Sequence, residues 1–327
     1  MTEQNAVVYC VNTAPHIHSG ESTQRIMWTV FFCLIPSGIV SMYVFGPTAL
    51  WIMLTAVLAA VVTEAGSCRI LKRPSTIADG SACVTGLLLA YNVPPQAPLW
   101  MVFLGTMVAI VFGKMVFGGL GYNIFNPALI GRVFLMVSFP VLMTRWPKPF
   151  TVDVVTGPTP LAVFKDSFAQ TGLFAPADIL AHTYRDLFLG FRGGCVGEAS
   201  VAALLIGAGI LLARRYITWH TPVSFIATVA VMTWIFGGRS LFQGDWLLHV
   251  LSGGLVLGAF YMATDYVSGP ITSRGRLIFG AGCGIITSII RLWGGYPEGV
   301  SFAILLMNAA APLIDRYSLP RRFGALR

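Results

Sequence analysis

Apolar runs recur along almost the whole chain, at Ile26–Phe45, Ala49–Thr63, Ala78–Val93, Pro98–Phe117, Ala128–Met143, Ala199–Ala213, Val223–Phe236, Trp246–Ala263, Leu277–Trp293 and Val300–Leu313. That many runs must be buried in protein or in lipid. With 56% hydrophobic and only 10% charged residues, the chain lacks the charge to surround them as a soluble body. A mean hydropathy of +0.75 points the same way. Hydrocarbon offers no partner to backbone N–H and C=O groups, so the runs are expected as helices that bond within themselves. The expected fold is an all-α integral membrane protein of about ten transmembrane helices.

Several runs fall short of the roughly 17–25 residues an upright span needs. These are expected as half-helices, or as helices whose polar ends are buried in protein. The third run is the best candidate for a broken helix, since it opens on Asp79, Gly80 and Ser81 and closes on Asn92 before Pro94-Pro95. The first run begins at Ile26 and reaches full length, which predicts a first transmembrane helix with no cleavable signal.

With ten spans both termini share one face. Arg25, Arg69, Lys72, Arg73, Lys114, Arg132, Arg214, Arg215, Arg274, Arg276, Arg316, Arg321, Arg322 and Arg327 are all assigned to that face, which predicts that it is cytoplasmic. Arg239 is the one basic residue in the opposite short loops, and Arg291 lies near the outer end of its span. The long segment between spans five and six balances Arg145, Lys148, Lys165, Arg185 and Arg192 against Asp153, Asp166, Asp178, Asp186 and Glu198, as a small outer cap would. The expected organisation is two five-helix halves, residues 1–144 and 199–327, around an outer-face loop over 145–198, with an inverted repeat as one way to build them. The net charge of +8 then reflects topology and anionic lipid, and no nucleic-acid-binding signal is present.

The outer loop holds Asp153-Val-Val-Thr156-Gly157-Pro158-Thr159-Pro160. Prolines on both sides of Thr159 keep it out of a helix and present its hydroxyl on an extended tether. One reading is plain turn chemistry. The other is a hydroxyl offered for a phosphoester to FMN, with Asp153 as the acid a transferase would recognise. The six cysteines form no C-x-x-C pair and read as small buried hydrophobes, and His16-x-His18 alone is no metal site.

Several stretches bear a family likeness: Ala14-Pro-His-Ile-His-Ser-Gly20, Ser22-Thr-Gln-Arg-Ile-Met27, Gly86-Leu-Leu-Leu-Ala90, Phe117-Gly-Gly-Leu-Gly121, Asn126-Pro-Ala-Leu129, Met262-Ala-Thr-Asp265, Tyr296-Pro-Glu-Gly-Val300 and Leu306-Met-Asn308. In this order they resemble the D subunit of the Rnf complex, a membrane ferredoxin:NAD+ oxidoreductase coupled to ion export. More distantly they are similar to the B subunit of the sodium-translocating NADH:quinone reductase. The resemblance implies FMN joined through phosphate to Thr159, with Asp153, Thr156 and Gly157 in the attachment motif and Pro158 where alanine is usual. It also implies a second, non-covalent flavin, riboflavin, within the bundle. The partners it implies are the A, B, C, E and G subunits of the Rnf complex and a flavin transferase. Lys165 is the nearest candidate to neighbour the FMN phosphate. The glycine run Gly118-Gly119-Leu120-Gly121 permits close approach to a ring, or tight helix packing.

Charges in or beside apolar runs are costly and usually functional or paired, which singles out Asp79, Lys114, Asp265, Arg291, Glu298 and Asp315. Asp265, before Ser268-Gly269-Pro270, fits either ion coupling or a plain helix-terminal acid. Glu298 is the second ion-coupling candidate, with a helix N-terminal acid as its alternative. Asp315 is the third, and pairing with Arg316 or solvation explains it as well. Arg291 fits a carboxylate, a flavin phosphate or simple snorkelling. The expected function is electron relay by a flavoprotein subunit of a complex that moves Na+ or H+. A small-solute channel and a cofactor-free scaffold are the alternatives the architecture leaves open.

Overall fold

The computed structural model describes residues 21–146, 161, 184–190, 193–238, 240–296 and 298–319, and these residues are helices joined by short turns. Asp153, Thr156, Gly157, Thr159 and Lys165 lie outside the described residues.

Helix α1 (Thr23–Phe45) begins where the Ser22 hydroxyl accepts from the Arg25 amide at 3.2 Å. It ends at Gly46, whose φ of 71° reverses the chain, and Pro47 then opens α2 (Pro47–Ile70) at a position that needs no donor. A short 3-10 turn over Ile77–Asp79 and Gly80, at φ 78°, precede α3 (Ser81–Tyr91), so the third run is indeed broken. Helix α4 (Leu99–Ile110) widens into a π turn over Val111–Met115. Asn126 caps α5 (Pro127–Ser138), and α6 (Pro140–Met143) follows directly.

In the second half, Ser200 caps α7 (Val201–Ala213), and α8 (His220–Phe236) follows. Asp245 caps α9 (Trp246–Leu251), and α10 (Leu255–Leu257) runs into a second π turn over Gly258–Met262. Thr272 caps α11 (Ser273–Trp293), and α12 (Val300–Ser318) closes the bundle.

Three of these helices, α1, α2 and α11, are long and apolar enough to cross a membrane, and shorter apolar helices surround them. The exposed side chains include Phe32, Ile39, Trp51, Leu58, Ile206, Ile278 and Leu306, an apolar exterior suited to lipid. The protein is an integral membrane protein whose described residues are all helix and turn.

Hydrogen bonds sort the connections into two ends. Tyr216 bonds Glu21, Tyr266 bonds the Tyr216 carbonyl, Asp315 accepts from the Ile271 amide at 3.0 Å, and Thr272 meets Ser318 at 2.6 Å. The described chain therefore starts and finishes at one end of the bundle, the near end. At the far end Val196 donates to the Val93 carbonyl at 3.1 Å, and Arg291 reaches the turn after α9. Tyr184, in the helical stretch 184–189, donates to Asp245; burial and this carboxylate raise its phenol above the usual range.

Candidate functional site

The near end holds a cavity of about 100 Å³ that reaches into the bundle. Its apolar wall includes Val84, Leu88, Phe260 and Tyr261, and its polar wall includes Thr85, Lys114, Asn123, Asn126 and Asp265. A second cavity of about 280 Å³ shares Tyr216, Thr264 and Asp265 with it and carries Arg215 and Arg276. Leu120 lines the first cavity from the glycine run, where Gly118, Gly119 and Gly121 adopt φ values of 132°, 102° and 94°. L-residues with side chains rarely adopt such angles, so the run serves the loop's own conformation, with Gly118 close to the Tyr122 ring.

Asp265 follows the second π turn and lines both cavities. Its carboxylate accepts from the Ser268 hydroxyl at 2.9 Å, the Val267 amide at 3.3 Å and Asn123 Nδ2 at 3.3 Å. Asn126 caps α5 and also donates to the Met262 carbonyl at 3.3 Å, tying the two halves together where the π turn ends. Asp315 lines neither cavity itself, but it accepts from the amide of Ile271, which lines the second cavity together with Asp265.

Lys114, expected on the face of the termini, instead points inward from the first π turn. Its ammonium meets Glu64 at 2.6 Å and donates to the Ser81 hydroxyl at 2.6 Å, with the lysine and glutamate side chains 2% and 0% exposed. Thr76 donates to the other Glu64 oxygen, and the Asp79 carboxylate accepts from the Ser81 amide at 2.8 Å. The break before α3 thus supplies one hydroxyl, that of Ser81, to the buried ammonium, and its Thr76 and Asp79 hold the Glu64 and Ser81 partners in turn.

A second charged group fills the far end. Arg132, also expected on the face of the termini, is buried in α5 and pairs with Glu298. It also donates to the Asn92 side-chain carbonyl, and the Cys195 sulfur lies 3.9 Å away. Glu298, an ion-coupling candidate with a helix N-terminal acid as its alternative, has as its partner a guanidinium from the other half of the chain. Arg291 does not snorkel, because it donates to the backbone carbonyls of Ser252 at 3.0 Å and Gly253 at 3.1 Å and to that of His249. Glu198, counted among the acids of the outer cap, lies against this group, in a short 3-10 turn beside Cys195.

Cys195, Glu198 and Glu298 place ligand-type atoms within 4.8 Å of one another. The Arg132 guanidinium already occupies the Glu298 carboxylate, and its charge opposes a metal cation there. A cleft reaches the group between Leu161, Asp186, Gly190, Ser252 and Gly253.

Glu64, Asn92, Cys195 and Glu198 are site residues that sequence reasoning does not single out for these roles. Glu64 carries a signal: it is the one acid within α2.

The sequence profile of the NQR2, RnfD, RnfE family matches residues 10–324. The chain is 45% identical to the D subunit of the proton-translocating ferredoxin:NAD(+) oxidoreductase complex of Clostridium ljungdahlii, covering 98% of this chain and 97% of the relative. It is 44% identical to the D subunit of the Na(+)-translocating ferredoxin:NAD(+) oxidoreductase complex of Acetobacterium woodii, over 99% and 98% of the two chains. The D subunit of an ion-translocating oxidoreductase complex of Pseudomonas aeruginosa is 42% identical over 95% of each.

Proposed function

The chain belongs to the NQR2, RnfD, RnfE family, and from that premise we propose that it is the D subunit of an ion-translocating oxidoreductase complex, relaying electrons while the complex moves Na+ or H+. Full-length similarity to three relatives named as the D subunits of such complexes is the observation that carries this reading. The A, B, C, E and G subunits would complete the complex and perform the ferredoxin and nicotinamide chemistry. Ten crossings in the inner membrane, with residues 1–144 and 199–327 as membrane halves and cytoplasmic termini, complete the proposal. The loop over 145–198 would carry Thr159 outside.

FMN is assigned to Thr159, installed by a flavin transferase that reads Asp153, Thr156 and Gly157. Lys165 would neighbour its phosphate. Supporting this assignment, Leu161 is buried against Gly253 beside Arg291 and lines the far-end cleft. Thr159 is two residues away in sequence. A flavin held there supplies one- and two-electron exchange, while the protein positions and tunes it.

The near-end cavity is the proposed place of the non-covalent flavin, riboflavin. Its donor set fits: apolar and aromatic walls for a ring system, with amides and hydroxyls at one side for ring and ribityl polar atoms. Asn123 and Asn126 would orient the ligand, and Leu88, Phe260 and Tyr261 would exclude water. Asp265 is the proposed ion-coupling acid at this end, and Glu298 at the other; Asp315 is the third candidate.

The test is in-gel flavin fluorescence of the denatured subunit, co-expressed with a flavin transferase. Wild type should fluoresce and Thr159→Ala should be dark. A dark wild-type band would remove the covalent flavin and favour a scaffold or small-solute channel.

A further inference from the structure

The far-end charge group contains more acid than its arginines can serve. Arg132 is committed to one Glu298 oxygen and to Asn92, and Arg291 to three backbone carbonyls. Among the described residues, therefore, Glu198 has no arginine donor, and its Oε1 and the Oε1 of Glu298 are buried without a hydrogen-bond partner. Glu298 is only 5% exposed, and both acids line the same cleft. An orphaned carboxylate oxygen in such a place is expensive. A carboxylate oxygen of each acid lies within 4.8 Å of the other, and two like charges that close oppose simultaneous ionisation.

We propose that Glu198 and Glu298 together form a proton-binding site, which exchanges one proton with water entering through the cleft between Leu161, Asp186, Ser252 and Gly253. The step is the addition of a proton to a carboxylate, forming one O–H bond, with no electron transferred and no other bond broken. The proton supplies the donor that the two oxygens lack. It belongs to the pair, so its titration is a property of both acids.

The groups facing the pair set its balance. Arg132 from α5 and Arg291 from α11 favour the ionised forms, as seen from Glu198. Cys195 contributes a thiol beside Glu198, and Asp186 adds a further acid at the cleft. His249 of α9 stands behind Arg291, which bonds its carbonyl. With both acids ionised the two arginines and two glutamates sum to zero charge, and the bound proton takes the group to +1. Negative charge gained nearby therefore favours proton uptake. That link deepens the electron-relay reading and rests on it, whereas the proton site stands on the geometry alone.

The experiment is infrared spectroscopy of the full chain in lipid nanodiscs, titrated from mildly acid to alkaline pH in H2O and D2O. Difference spectra would compare wild type with Glu198→Gln, Glu298→Gln and Glu198→Asp. The expected result is a carboxylic-acid C=O band in wild type that titrates, shifts in D2O and disappears in both glutamine variants. In Glu198→Asp the band should move but still titrate, which controls for variants that fail to fold. No titrating band in wild type, or one that persists unshifted in either glutamine variant, would overturn the proposal. Flavin fluorescence at Thr159 is read separately, so a dark gel band with an intact infrared signal would sink the relay reading and leave the proton site standing.

Discussion

Lys114 keeps its charge inside the bundle because Glu64 stands 2.6 Å away and Ser81 accepts a second bond. Removing one partner strands the other, whereas removing both leaves an apolar contact. Lys114→Met should therefore cost about 3–5 kcal/mol in unfolding free energy, and Glu64→Leu/Lys114→Met should recover most of it. Denaturant titration in detergent would measure both, and a double variant no more stable than the single one would refute the pairing. This residue scale is where the sequence is least legible. Asp265 stands out beside its Ser-Gly-Pro break, and the structure does place it on a cavity wall. Arg132 and Glu298 are 166 positions apart, and charge counting puts Arg132 on the face of the termini because nothing local reveals so distant a partner. Glu198 is only one of five balancing acids in the sequence for the same reason.

Between elements, the close approach of α3 to α2 offers a test. A Cβ at Gly86 would stand 2.6 Å from the Ala56 carbonyl oxygen and 3.0 Å from Val57 Cα, both backbone atoms that cannot step aside. Gly86→Ala should push the helices apart at a cost of about 1–3 kcal/mol. The loss would appear as a lower unfolding midpoint, while the same change at Gly66, which has open space, should do far less. Helix positions are the most legible part of the sequence, since hydropathy marks where lipid-facing or core-facing runs begin and end. The break at Gly80 is legible too, from its polar residues. The π turns are not, because one extra residue in a continuous apolar run leaves hydropathy unchanged.

For the whole molecule, the sorting of turns into two ends predicts which positions share a side of the membrane. In a background with the native cysteines replaced, cysteines introduced at Ser22 and Ser318 should react with a membrane-impermeant thiol reagent from one side. One introduced at Thr144 should react from the other, and by the positive-inside rule the first side is the one expected to be cytoplasmic. Labelling of Ser22→Cys and Ser318→Cys from opposite sides would refute the arrangement. The two π turns, at Val111–Met115 and Gly258–Met262, also bear on inheritance. Each is the form an α-helix takes when it absorbs one additional residue without shifting the turns beyond it. Loss of a single codon there would return the turn to ordinary winding and leave the flanking segments in register, whereas the same loss from a regular stretch of helix would rotate everything beyond it by about 100°. These two turns are therefore the places where the bundle absorbs a change of length locally, and only side chains on the turn itself, Lys114 among them, would lose their aim.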